Sequence, residues 1–382
     1  MADTPSKRLA SLDVFRGATV AGMMLVNNPG DWGQIYPPFK HAAWDGWTYT
    51  DTVFPFFLWI VGVAMTFSFA KRIERSDDKR KLALHVLRRS AIIFALGLLL
   101  NGFPFGLAFG HEFSWSTIRI PGVLQRIAVC YLFTGLIFLS TSFRQQISIT
   151  AALLAVYWLA MKLVPVPGFG AGVLEPTGNL CWYIDSNLLA GHTWRGAPVP
   201  GFDPEGIFST IPAIATMLFG VLTGHLLRSG KSPEEKTSLL FVYGSLLLFA
   251  GTTMNYWFPI NKNLWTSSYV VFMAGMAMVV LGVCYWFIDA KGYRQWTKPF
   301  EIYGLNAITI FVLAGLFART AGIIKVAGED GTRIAFKTWY YQHLFIPLGD
   351  PMVVSFLHSL AYVVGLYIIA YGMYRMKWVI KA

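Results

Sequence analysis

Residues 266–288 read TSSYVVFMAGMAMVVLGVCYWFI, 23 residues without one charged side chain. A helix of that length spans roughly 35 Å, enough to cross a hydrocarbon core of about 30 Å. Lys262 stands before the run and Asp289, Lys291 and Arg294 follow it, so the apolar stretch ends in charge on both sides. Working outward, nine more stretches have this character: 9–28, 52–70, 86–108, 121–140, 146–164, 206–227, 237–257, 301–322 and 351–376. The first carries Asp13 and Arg16 and the ninth carries Arg319, which makes them the weakest. The first is expected to be a retained helix, because no small-residue cleavage site follows it. Composition agrees. Of 382 residues 55% are hydrophobic and 13% charged, half the charged share of a soluble domain. Mean hydropathy is +0.51. An ordinary soluble enzyme, a disordered chain and a fibrous repeat are excluded. The expected fold is an all-α polytopic transmembrane helix bundle of about ten spans, one domain over 1–382.

The net charge of +11 does not call for nucleic acid, because the basic residues sit in short loops between apolar runs. Counted alternately from the N-terminus, one set of loops and ends holds 20 Lys and Arg and the other seven. That asymmetry predicts both termini on the cytoplasmic side. The longer loops, 29–51, 165–205 and 323–350, then all face outward. They are rich in Trp, Tyr, Pro and Gly, which suits an interfacial aromatic belt or a cap that stacks on a sugar. The three cysteines, Cys130, Cys181 and Cys284, make neither a disulfide framework nor a metal motif. No metal is expected.

An ionisable residue inside a span costs on the order of 3 kcal/mol on insertion scales and is a functional hypothesis by default. Asp13 and Arg16, three residues apart, share a helix face and can pair. Gln125-Arg126 lies in the fourth span, and Glu301 and Asn306 flank the start of the ninth. Asn27 and Asn28 end the first span before Pro29-Gly30, a helix-stop pattern. Asp203-Pro204-Glu205-Gly206 reads as a turn with acids at a helix start. Among seven histidines His41 differs, lying ten residues before Asp51 in Phe39-Lys40-His41-Ala42-Ala43-Trp44-Asp45-Gly46 at the outer end of the second span. Imidazole suits proton transfer near neutral pH, and an interfacial structural role is the plainer alternative. Soluble signatures such as GxSxG, HExxH, a Walker motif or GxGxxG with a strand are absent from the sequence.

Six motifs fall in order along the chain. They are Arg8-Leu9-Ala10-Ser11-Leu12-Asp13-Val14-Phe15-Arg16-Gly17, the His41 stretch, Asp51-Thr52-Val53-Phe54-Pro55, Gly122-Val123-Leu124-Gln125-Arg126, Phe202-Asp203-Pro204-Glu205-Gly206 and Asn261-Lys262-Asn263-Leu264-Trp265. Together they resemble the heparan-alpha-glucosaminide N-acetyltransferase family of transmembrane acyltransferases. The resemblance runs from span one to about span nine and suggests a compact, bacterial-type member of an inner membrane. Asp45 stands where the animal enzymes have asparagine, and 323–350 matches poorly.

The resemblance implies acetyl transfer from cytosolic acetyl-CoA, as co-substrate, to an amino sugar across the membrane. The family's histidine falls on His41, as catalytic base or acetyl carrier, and its asparagine on Asn27, an oxyanion donor. Asp51 would orient His41 or hold the acceptor ammonium. Expected on the CoA path are Asp13, Arg16, Gln125, Arg126, Asn306, Arg88 and Arg89, and on the acceptor Trp44, Asp45, Glu205, Asn263 and Trp265. For Arg88 and Arg89, plain positive-inside charge is the alternative. Partners would be the glycan acceptor, membrane lipid and a second copy as homodimer, with no nucleic acid. Two rival readings stay open: an O-acyltransferase on envelope polysaccharide, and a transporter of sugars or lipid-linked sugars.

Overall fold

The structure, a computed structural model, describes residues 9–73, 78–107, 113–328 and 331–380. Arg8 of the first motif, Lys7, Arg75 and Lys381 among the basic residues counted for orientation, and His111 among the seven histidines lie outside the described residues. The order is α1 (Ala10–Asn27), α2 (Tyr49–Ile73), α3 (Lys79–Gly102), α4 (Val123–Ser140), α5 (Phe143–Leu163), α6 (Leu180–Leu188), α7 (Thr210–Arg228), α8 (Pro233–Met254) and α9 (Ser267–Tyr285). Next come α10 (Lys298–Leu305), α11 (Ala307–Ile323), strands β1 (Lys325–Ala327) and β2 (Arg333–Ala335), α12 (Phe336–Leu344) and α13 (Pro351–Arg375). The fold is an all-α polytopic bundle, with one antiparallel β1–β2 hairpin among the described residues outside the spans.

Eight described helices are long and apolar enough to cross a membrane: α2 to α5, α7 to α9 and α13. The expected ninth span is not continuous. It breaks at Asn306 into α10 and α11, bent by 79°, and counts as a span only if the pair is taken together. α1 has the length, 18 residues, but Asp13, Arg16 and Asn27 dilute its hydropathy. Of the expected ten spans, eight are thus found plainly, the ninth only if the bent pair is one span, and the first, α1, falls short because of these polar residues.

Burial sorts the helices. In α2, 72% of the span is buried, and in α4, α7 and α9 61%, whereas α3, α5, α8 and α13 bury only 22–28%. The first four form the centre, and the others turn Leu87, Leu246, Phe249 and Ile368 outward to the hydrocarbon. Glycines permit the tightest central crossing: a Cβ on Gly62 of α2 would strike the Met217 carbonyl of α7, and one on Gly220 the Trp59 carbonyl. Small residues at such crossings let dispersion act where no hydrophobic drive between helices exists. The three long loops meet at one end of the bundle, where Lys337 reaches the Pro29 carbonyl and Trp44 the Leu174 carbonyl.

Candidate active site

Pro29, Pro37 and Pro38 keep the chain after α1 from continuing as helix, and it crosses the long-loop end before α2 begins. Asp51 sits in the first turn of α2, where the helix dipole favours an anion. It is 1% exposed. One carboxylate oxygen meets His41 Nδ1 at 2.6 Å. The other accepts from Ala42 N–H (2.9 Å), Thr48 N–H (3.0 Å) and the Thr48 hydroxyl (3.1 Å). The Thr48 hydroxyl, with a single proton, is shared with the Lys40 carbonyl. A carboxylate facing two backbone N–H donors accepts from His41 as well, so Nδ1 carries the proton and the lone pair of the ring lies at Nε2. The His41 side chain is 46% exposed, so that nitrogen can meet a substrate. The Tyr269 hydroxyl donates to the Asp51 carbonyl at 2.6 Å and locks the turn from α9.

The two adjacent asparagines divide the roles left open by the sequence. Asn28 is buried and its amide donates to the Met24 carbonyl at 2.8 Å, capping the last turn of α1. Asn27 is exposed, and both asparagines line a cavity of about 220 Å³ among α1, α3, α4 and α11, shared with Gln125, Arg119 and Arg319. This cavity adjoins a second of about 460 Å³, both touching Asn101, Arg119 and Arg319. On its other side a small apolar void between α1, α4 and α11 shares Val123, Leu124 and Phe311 with it.

An ionic cluster closes the second cavity. Arg119 grips Asp203 with Nε (2.9 Å) and Nη2 (2.6 Å), and Nη2 also reaches Glu205 at 2.6 Å. Asp203 is fully buried. Burial pushes the Glu205 carboxyl up, but Arg119, with Lys262 and Arg126, outweighs it and holds the group below the usual range. Burial works against the Arg119 charge too, and the two carboxylates reverse that and raise its pKa. Arg126, 2% exposed, donates to the Gly206 carbonyl at 3.1 Å and to the Ser209 hydroxyl, and its guanidinium lies 5.1 Å over the Trp265 ring. Lys262 stands near enough to both Asp51 and Glu205 for its charge to act on each, which links the cluster to the His41 turn.

The remaining expected residues are spread more widely. Asp45 accepts from the Asn261 amide at 3.1 Å, Gly46 N–H bonds the Ile260 carbonyl, and the His41 loop is thereby docked on the loop that carries Asn263. Trp44 packs on Phe202, with its indole on Leu174. Trp265, expected to meet the acceptor, is completely buried and packs under Arg126 instead. Glu205, also expected there, is committed to Arg119. Asp13 and Arg16 pair at 3.0 Å, and Arg16 reaches the Gly304 carbonyl, so they stitch α1 to α10. They lie roughly 20 Å along α1 from Asn27. Asn306 spends both ends of its amide on the C-terminal segment, on the Trp378 carbonyl and Ile380 N–H. Arg89 stacks on Tyr131 at 5.0 Å, whereas Arg88 is exposed. Sequence reasoning missed Arg119 and Asp185. The signal for Arg119 was the buried-looking acid pair Asp203 and Glu205, which requires a cation. Asp185 gave none.

The chain matches the sequence profile described as heparan-alpha-glucosaminide N-acetyltransferase, catalytic, over residues 8–253. It belongs to that family. The heparan-alpha-glucosaminide N-acetyltransferase of Homo sapiens is 32% identical over 354 residues, covering 80% of this chain and 52% of the human protein. The Mus musculus protein of the same name is 30% identical over 358 residues, 80% of this chain and 53% of its own length. The chain thus spans about half the length of these two relatives. The matched 8–253 contains His41, Asp51, Asn27, Arg119, Arg126 and Glu205, while α9 to α13 lie beyond it.

Proposed function

We propose that this heparan-alpha-glucosaminide N-acetyltransferase family member is a membrane acetyltransferase that moves acetyl from acetyl-CoA to the amine of a glucosamine-type sugar at the long-loop face. The observation that carries the reading is His41 itself: half exposed, with Nδ1 tied to a buried, fully hydrogen-bonded Asp51 and Nε2 turned to act as base. The acceptor nitrogen attacks the thioester carbonyl, and Nε2 takes its proton. The carbon–sulfur bond then breaks, the CoA thiolate leaves, and the proton held by His41 is available to it. The Asn27 side chain lines a cavity that His41 does not, so it would donate to the oxygen that gains charge at the tetrahedral stage once the thioester reaches from that cavity to His41. Gln125 and Arg319 share that cavity and can hold the donor's polar pantetheine amides. The arm would have to enter from the opposite face, where Arg88 and Arg89 are the cations for its phosphates; the apolar void beneath, of about 10 Å³, would have to widen to pass it.

The test is incubation of the purified protein with radiolabelled acetyl-CoA and glucosamine, wild type beside His41→Ala. Labelled N-acetylglucosamine formed by wild type alone is expected. Label transferred to a hydroxyl acceptor instead would move the reading to O-acylation. A well-folded preparation that neither binds nor consumes acetyl-CoA would overturn the acyltransferase reading and favour transport.

A further inference from the structure

The last helix pair, beyond the matched 8–253, grips the chain where it leaves Asn27. The Asn28 carbonyl accepts from His358 Nδ1 at 3.1 Å and from the Ser359 hydroxyl at 3.2 Å. Gly30 N–H donates to the Ser355 carbonyl at 3.3 Å. Asp31 N–H donates to Ser355 Oγ at 3.1 Å, and that hydroxyl returns to the Asp31 carbonyl at 3.1 Å. Lys337 of α12 donates to the Pro29 carbonyl. Further on, Phe39, two residues before His41, stacks on Phe356 at 5.6 Å. One face of α13, residues 355, 356, 358 and 359, therefore serves both the exit from Asn27 and the approach to His41. These residues stand more than 300 positions from Asn28 in the chain.

His358 is the centre of this grip. It is 2% exposed inside a span. A carbonyl only accepts, so Nδ1 carries the proton, and Nε2 accepts from the Tyr340 hydroxyl at 2.7 Å. The rings of Tyr340, Tyr341 and Phe345 surround the imidazole. A polar, doubly engaged side chain at such depth is costly unless it has a task, and here its partner is the carbonyl of Asn28, the residue after Asn27. Nothing else described ties α13 to that carbonyl except Ser359.

We infer that His358, held by Tyr340, is a positioning residue for Asn27: it fixes the end of α1 so that Asn27 keeps its place in the cavity wall. The inference rests on the acetyl-transfer reading above. A positioning role predicts loss in kcat with little change in KM, because an oxyanion donor acts on the transition state. Asparagine places its amide nitrogen near the site of Nδ1 and keeps the donor to Asn28, while glutamine serves only the Tyr340 end. His358→Ala is expected to lower kcat about tenfold or more, His358→Asn to recover most of it and His358→Gln little. Tyr340→Phe and Ser359→Ala, gentler changes if His358→Ala misfolds, are each expected to cost a few-fold in kcat.

The deciding measurement is a double-mutant cycle on detergent-purified full chain, reading kcat with acetyl-CoA and glucosamine. If His358 acts through Asn27, His358→Ala adds nothing on the Asn27→Ala background. Multiplicative losses in the double variant, or equal recovery by Asn and Gln, would overturn the inference. Asn27→Ala with wild-type kcat would overturn it too, leaving nothing to position, while His41→Ala reports separately whether the transfer reading stands.

Discussion

Asp51→Asn removes one charge and almost no volume, and the hydrogen bonds around the carboxylate decide its effect. The carboxylate faces two backbone N–H groups, at Ala42 and Thr48, on one oxygen and His41 on the other. Asparagine has one acceptor and one donor end. Its NH2 cannot face the two N–H groups, so its oxygen takes that place and the NH2 turns to His41. Nδ1 must then accept, the ring proton moves to Nε2, and the base is lost without any contact being lost. General-base catalysis contributes about 10²–10⁴ in rate. The expected fall in kcat is therefore about 10²–10⁴, or roughly 3–5 kcal/mol of barrier, with a melting temperature near wild type. Asp51→Ala differs: it leaves the Ala42 and Thr48 N–H groups and the His41 ring N–H without their acceptor, in positions water can partly reach, while the Thr48 hydroxyl keeps the Lys40 carbonyl. At the lower end of about 1–3 kcal/mol per lost partner, it costs roughly 2–4 kcal/mol of stability besides activity. The assay is steady-state acetyl transfer beside thermal unfolding in detergent. Asp51→Asn within about threefold of wild-type kcat would refute the tautomer argument, since it would show that His41 does not need its Nδ1 partner to be an anion.

Four further outcomes can be checked. Arg119→Ala strands two buried carboxylates and should lose about 3–5 kcal/mol of stability, with Arg119→Lys intermediate because it keeps charge but not the fork; equal melting of Lys and Arg forms would contradict the bidentate grip. Burial raises the Asp185 carboxyl to about 7, against the partial relief of Ile207 N–H, in α6 outside the spans. With an unfolded value near 3.9, its contribution to stability is full below about pH 4 and is lost as pH rises through 7, so wild type should melt progressively lower than Asp185→Asn between pH 5 and pH 8; parallel curves would exclude it. Gly220→Val places atoms against the Trp59 carbonyl and should abolish a monodisperse peak in size-exclusion chromatography, whereas Gly372→Val, which meets nothing, should not. The proposed orientation requires an impermeant maleimide to label Arg195→Cys in intact cells and Lys231→Cys only after permeabilisation, in a Cys284→Ala background; the reverse pattern would invert it.

The sequence by itself determined the class of fold, because hydrocarbon accepts only internally hydrogen-bonded backbone and so writes each span as an uninterrupted apolar run. It also marked the His41 stretch and Asp51, since ten residues of the same connecting loop keep both at one end of the spans. What it could not say was the state of each polar group, because that depends on partners contributed by distant segments. The run 301–322 reads as one span, yet it breaks at Asn306, whose amide is claimed by backbone some 72 residues later. Asn27 and Asn28 are the same residue type in adjacent positions beside one cavity, and only packing buries Asn28, with its amide on the Met24 carbonyl, while leaving Asn27 exposed. Trp265 belongs to a motif and looks like a sugar platform, but tertiary structure buries it under Arg126. Arg119 finds its carboxylates 84 and 86 residues away, and Asn28 finds His358 at 330. Periodicity and apolar length report what each segment does against the solvent; how buried charges and amides are satisfied is a property of the closed bundle.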